Sequence, residues 1–203
     1  MRLHLASRLT LAAVFAILSI PAFSQVVPAA SEGGLPLIVG GGFSNFDLDY
    51  GKDNGNTRRM EGGTIWANWT LYNAPSLLRG IGIEIEGRDI NYGRPATLPK
   101  MRQDVGEGGV IYPWRHYRNF KPYGKFLIGM GSIDFPSNNP KYTHDTRAVY
   151  SPGGGLEYRV WRNVWVRADY EYEFWLHLFG PNALNPNGYT IGASYDFRRF
   201  HSH

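Results

Sequence analysis

The sequence predicts an all-β protein: an eight-stranded antiparallel up-and-down transmembrane β-barrel preceded by a cleavable signal peptide. Three observations carry this reading. An export signal opens the chain and no later apolar run is long enough for a membrane helix. Apolar and polar residues alternate over stretches longer than a soluble strand needs. Finally, the connections between those stretches alternate between short turns and long polar loops.

Arg2 and Arg8 flank a basic start, Leu9 to Ile20 is almost wholly apolar, and Pro21-Ala22-Phe23-Ser24 places small residues ahead of a cleavage expected between Ser24 and Gln25. Residues 1–24 therefore read as the signal peptide, 25–36 as an N-terminal periplasmic segment, 37–197 as the barrel and 198–203 as a C-terminal tail. Nothing after Gln25 approaches about eighteen consecutive apolar residues, so any membrane crossing must be made by strands.

The first strand is expected over Leu37 to Asp49, where Gly40, Gly41 and Gly42 leave the facing undetermined. Glu61 to Tyr72 forms the second. In the third, Ile81, Ile83 and Ile85 alternate with Gly82, Glu84 and Glu86, and Arg88 extends the polar side. The fourth, Gln103 to Tyr112, is set with Glu107 inward and Val110 and Tyr112 on lipid, because the reverse places a carboxylate in hydrocarbon. Lys121 to Gly131 and Arg147 to Arg159 follow. The clearest strand has Val164, Val166, Ala168, Tyr170, Tyr172, Phe174 and Leu176 on one face and Trp165, Arg167, Asp169, Glu171, Glu173, Trp175 and His177 on the other. It exceeds a typical soluble strand and suits a tilted bilayer crossing of about 9–11 residues with its rims. Gly188 to Phe197 closes the sheet. Asp49 to Arg59, Tyr92 to Lys100, Ser132 to Asp145 and Leu178 to Asn187 are expected as extracellular loops, and Asn73 to Ser76, Trp114 to Asn119 and Val160 to Asn163 as periplasmic turns.

Composition agrees. Gly 25, Tyr 13 and Trp 6 suit strands, tight turns and interfacial girdles. A mean hydropathy of -0.33 hides a barrel, because lipid-facing and lumen-facing residues cancel in any window. Cys 0 removes disulfides and thiol chemistry. The formal charge of +4 includes Arg2 and Arg8, leaving about +2 on the processed chain. Its basic residues are scattered among acids, with no basic patch interleaved with aromatics, so nucleic acid is not an expected partner.

The alternation directs Glu84, Glu86, Arg88, Glu107, Lys125, Arg147, Glu157, Arg167, Asp169, Glu171, Glu173 and Asp196 into a lumen only wide enough for its own side chains. Enclosed opposite charges need partners. The expectation is an ion-pair network that fills the barrel; the competing reading is a narrow pore lined by the same groups.

In the last strand, Thr190, Gly192, Tyr195 and Phe197 occupy a polar, glycine, hydrophobic, hydrophobic pattern that resembles the C-terminal β-signal of bacterial outer-membrane proteins. From about Leu37 to Phe197 the chain is similar to the small eight-stranded outer-membrane barrels of the outer-membrane protein A-like and X-like type. The resemblance implies insertion by the barrel-assembly machinery, with those four residues as the recognition signal. It also implies surroundings of outer-membrane lipid and lipopolysaccharide, and loops that meet any extracellular ligand. The segment Arg198 to His203 runs past the terminal aromatic and is expected at the periplasmic headgroups.

The expected role is structural or surface-interacting and not catalytic, with a small-solute channel and a lipid-modifying enzyme as alternatives. Lipid A deacylases, which are small barrels, carry a His-x-Ser arrangement on a strand beside a carboxylate. Here that grouping is sought at His201-Ser202-His203 in the tail, while His177 and Ser194 should lie toward opposite membrane faces, too far apart to exchange a proton. No cofactor or metal is expected: Asp47, Asp49 and Asp53 lack the closing glutamate of a calcium loop. Gly153-Gly154-Gly155 precedes no helix and is not a phosphate loop. Asn68-Trp69-Thr70 fits a glycosylation sequon but lies within a strand. Trp66, Trp69, Trp161 and Trp165 read as packing residues or interface anchors.

Overall fold

A computed structural model describes residues 37–49, 59–71, 80–92, 101–114, 117–135, 143–180 and 182–197, all within the unit Gly33–His203. The expected signal peptide, the periplasmic segment, the tail with His201 to His203, Asp53 and the Asn73 to Ser76 turn lie outside the described residues. The strands are β1 (Leu37–Asp47), β2 (Arg59–Thr70), β3 (Gly82–Tyr92), β4 (Met101–Pro113), β5 (Phe120–Asp134), β6 (His144–Arg159), β7 (Val164–Tyr172), β8 (Phe174–Leu178), β9 (Asn182–Leu184) and β10 (Asn187–Asp196). Neighbouring strands pair antiparallel in the order β5-β4-β3-β2-β1-β10-β7-β6, and β5 pairs with β6 to close the ring.

Ten strands make eight crossings. The register of β6 on β7, in which Gly153 faces Glu171, continues unchanged to Val149 facing Trp175 on β8. The register of β10 on β7 likewise continues to Leu184 facing Trp175. The break falls where Pro186 opposes Glu173: proline has no amide for the ladder, yet its carbonyl still accepts the Glu173 amide at 2.7 Å. The seventh crossing is therefore β7 with β8, and the eighth is β9 with β10. This corrects one expectation. Leu178 to Asn187 is not an open loop: Leu178 ends β8, and β9 returns after a turn in which His177, Phe179 and Gly180 take φ of 61°, 48° and 115°. His177 is exposed at that turn instead of extending the polar face.

The facing left open in the first strand is settled by packing. β1 holds one register against β2 and against β10, with no bulge through the glycines, so Ile38, Ser44 and Phe46 point inward and Val39 and Phe43 outward. Glycine is required at Gly40 because a Cβ there would stand 2.4 Å from the Trp66 ring. Trp66 fills the lumen at the level of these glycines, and the glycines give it that room.

Outside, Val39, Ile65, Ile83, Ile85, Val110, Phe126, Ile128, Met130, Leu156, Val166 and Ile191 form an exposed apolar wall. At the end with short turns an aromatic girdle rims it, including Trp69, Trp114, Tyr117 and Trp161, with the rings of Phe120 and Tyr158 in tilted contact at 4.8 Å. One of those turns is a two-residue hairpin, Tyr117 to Phe120, closed by backbone bonds of 3.0 and 2.9 Å, in which Arg118 takes φ 55°. An apolar outer wall of this extent around enclosed charges is stable only against hydrocarbon.

Candidate functional site

Alternation along β3 and β7 turns Glu84, Glu86 and Arg88 toward Arg167, Asp169 and Glu171, and the two strands are not sheet neighbours, so their ion pairs span the lumen. Near the short turns, Lys121 Nζ donates to Glu157 Oε2 at 2.7 Å, under Trp165. Above it, Arg167 donates to both oxygens of Glu84 at 2.7 and 2.9 Å and lies 2.6 Å from Asp169 Oδ2. Its guanidinium sits 4.6 Å from the Trp66 ring and 5.0 Å from the Tyr123 ring, whose hydroxyl donates to Asp169 Oδ2 at 2.8 Å. Lys125 reaches Glu84 at 3.3 Å, Glu86 at 2.7 Å and Asp169 at 3.2 Å, and also contacts Glu171. Arg88 completes the core, donating to Glu86 at 2.5 Å and to Glu171 and Glu173.

Among the described residues eight buried carboxylates (Glu84, Glu86, Glu107, Glu157, Asp169, Glu171, Glu173 and Asp196) stand against four buried cations (Arg88, Lys121, Lys125 and Arg167), so three of the cations each serve several acids. Neutral donors supplement the cations: Ser151 Oγ donates to Glu107 Oε1 at 2.5 Å, and Glu173, already held by Arg88, also accepts from Gln103 Nε2 and Trp175 Nε1 at 2.7 and 2.6 Å through Oε2.

Two of the expected members stand elsewhere. Arg147 shares the inward parity of β6 but lies near the rim, where it pairs with Asp145 at 3.0 Å; the strand continues far enough toward the long connections to carry it out of the network. Asp196 is buried near the short turns, where its carbonyl accepts from Asn163 Nδ2 at 2.6 Å. Lys121 belongs to the interior and was not singled out from sequence, although it shares the parity of Lys125. Of the last-strand pattern, Thr190 joins a row of hydroxyls inside the barrel, 2.7 Å from Ser44 Oγ, which is 2.5 Å from Thr64 Oγ1. Gly192 packs against Gly42 and Trp66, and Tyr195 and Phe197 form an edge-to-face pair at 4.9 Å on the outer wall.

The feature least visible in the sequence is the far half of the lumen. Phe46, Leu48, Met60, Ile90, Met101, Val105, Ile133, Val149, Trp175, Leu178 and Leu184 form one buried apolar cluster above the charges. Trp175 crosses it, and Gly131 provides its space. The barrel interior thus has two storeys, cross-linked charge near the short turns and an apolar cap near the long connections.

Outside the cap, the lipid-facing wall gives way to a polar belt. Arg59 donates to Asn45, whose amide donates to Glu61 at 3.1 Å; Arg102 bridges Asp89 and Asp104, both at 3.0 Å. Beside them Asp134 Oδ1 and His144 Nδ1 are 2.6 Å apart. The spacing His144-Asp145-Thr146 was the signal for this group, since residues two apart on a strand share a face. Among the described residues no group of three or more His, Cys, Asp or Glu side chains is arranged to hold a metal ion.

The model of the outer membrane protein beta-barrel domain family matches residues 10–197. No curated protein sequence matches the chain. Among solved structures, Neisserial surface protein A superposes with a TM-score of 0.64 at 14% identity, over 82% of this chain and 100% of that one. Ail, the attachment invasion locus protein of Yersinia pestis, follows at 0.54 and 16%, over 82% and 97%. OprG of Pseudomonas aeruginosa gives 0.51 and 14%, over 83% and 97%. Identities this low speak to the fold, while the family match, the closed eight-crossing ring and the apolar outer wall agree on its setting. The chain belongs to the outer membrane protein beta-barrel domain family and is a small barrel of the bacterial outer membrane.

Proposed function

We propose that this is a sealed barrel with a structural or surface-interaction role, whose work is done at its outer wall and extracellular rim and not through its lumen. The observation that carries the reading is the two-storey interior. Ions entering from the short-turn end meet carboxylates already held by Arg88, Lys125 and Arg167, and beyond them a cap of apolar side chains, which ions from the other end meet first. An apolar constriction excludes water as well as ions. Short turns mark the periplasmic end of such barrels and long connections the outer surface, so the cap faces the exterior. During assembly, Thr190, Gly192, Tyr195 and Phe197 serve as the signal read by the barrel-assembly machinery, and lipopolysaccharide surrounds the polar belt once the barrel is inserted.

The test is single-channel conductance of the refolded processed protein in a planar bilayer. A folded, silent protein is expected. Stable steps that change when Arg167 or Glu171 is neutralised would establish instead a narrow charged channel, the reading that the excess of buried carboxylates over cations favours.

A further inference from the structure

We propose that Asp134, His144 and Thr146 form a hydrolytic site on the outer wall of the barrel, acting on the acyl esters of lipids in the adjoining leaflet. The proposal goes beyond the sealed-lumen reading and does not depend on it, and it departs from the expectation of no catalysis drawn from the sequence.

The geometry is that of a carboxylate, an imidazole and a hydroxyl in line. Asp134 and His144 are direct register partners on β5 and β6, and Asp134 Oδ1 lies 2.6 Å from His144 Nδ1. The other ring nitrogen, Nε2, lies 3.3 Å from Thr146 Oγ1. A proton on Nδ1 donated to Asp134 leaves Nε2 free to accept from the threonine hydroxyl, the tautomer that nucleophile activation requires. Strand pairing produces this order: residues 144 and 146 share the outward face, and the partner of 144 supplies the carboxylate.

The strand carrying the site is held from inside. Between His144 and Thr146, Asp145 accepts from the Arg147 side chain at 3.0 Å and from the Phe179 amide of the β8–β9 turn at 2.6 Å, and its other oxygen accepts the Thr146 amide at 2.9 Å. Rigid support of this kind is what a preorganised site needs. Thr146 opposes Ser132 across the β5–β6 ladder, so a second hydroxyl-bearing residue shares this outward face.

Position selects the substrate class. One outward pair nearer the membrane, Met130 opposes Ala148, and next to them Ile128 opposes Tyr150 on the lipid wall. The hydroxyl of Thr146 therefore stands at the first polar level above hydrocarbon, where the ester carbonyls of outer-leaflet lipids lie. In the reaction the Thr146 oxygen attacks the ester carbonyl and its proton passes to His144 Nε2. The carbonyl–alkoxide bond then breaks, and the leaving alcohol takes that proton. Water attacks the acyl-threonine, giving its proton to His144, and Thr146 recovers it as the fatty acid departs. Asp134 acts as a positioning residue for the imidazole.

The test uses the folded full-length mature barrel, checked by heat-modifiable gel migration, in vesicles of phosphatidylethanolamine with and without lipopolysaccharide, with released fatty acid measured by mass spectrometry. Fatty acid from plain vesicles identifies phospholipid esters, and release only when lipopolysaccharide is present identifies its acyl chains. Thr146→Ala and His144→Ala are expected to lower release by about 100-fold or more, and Thr146→Ser to restore it relative to Thr146→Ala. Asp134→Asn is expected to lower kcat with KM kept. A long-chain phosphonofluoridate should label the peptide containing Thr146 in the wild type and not in His144→Ala. No release from either vesicle by folded wild-type protein would overturn the proposal, as would release by Thr146→Ala and His144→Ala at the wild-type rate.

Discussion

Replacing Arg167 with methionine tests how the interior is held together. The side chain is fully buried and is the bidentate partner of Glu84 and the nearest cation to Asp169. Methionine keeps much of the volume between the Trp66 and Tyr123 rings but leaves two enclosed carboxylates without their main counter-ion. Lys125, at 3.3 Å from Glu84 and 3.2 Å from Asp169, already serves Glu86 and Glu171 and cannot replace it. Removing one member of a buried pair costs about 3–5 kcal/mol. Arg102, whose side chain is 51% exposed between two half-exposed acids, provides the control: its loss costs about 0–1 kcal/mol. Because acids outnumber cations inside, Glu171→Gln should cost less than Arg167→Met, since Arg88 and Lys125 keep other partners. The assay is urea unfolding in lipid vesicles, followed by tryptophan fluorescence and by gel migration without boiling. Equal midpoints for Arg167→Met and Arg102→Met would refute the argument that these charges hold the interior.

Two further outcomes are expected. Gly40→Ala places a Cβ 2.4 Å from the Trp66 ring and 2.7 Å from Ser194 Cβ and should destabilise by about 1–3 kcal/mol. Gly41→Ala, on the outer face, meets nothing closer than 3.5 Å and should stay within about 0.5 kcal/mol in the same unfolding assay. Phe197→Ala removes the edge-to-face partner of Tyr195 and should reduce the amount of barrel assembled in the outer membrane; undiminished levels by quantitative immunoblot would remove Phe197 from the assembly signal.

The sequence by itself determined the fold class and most of the facing. A period of two has only two phases, and with lipid on one side and a narrow lumen on the other, the phase that buries Glu84, Arg167 and Glu171 is the only affordable one. Local pattern failed where long-range pairing decided. The one-register fit of Gly40 to Gly42 depends on Trp66 from the next strand. The continuation of β7 into β8 depends on Pro186, which opposes Glu173 from a segment that looks locally like a loop. Only the tertiary structure decided which charges meet, because β3 and β7 face each other across the lumen at a sequence separation no local rule spans. It also decided that the outward half of the interior is an apolar cap, since its members come one or two at a time from segments distant in sequence. The same holds for Asp134 beside His144: the sequence places His144 and Thr146 on one face, but only the β5–β6 register brings the carboxylate to the imidazole.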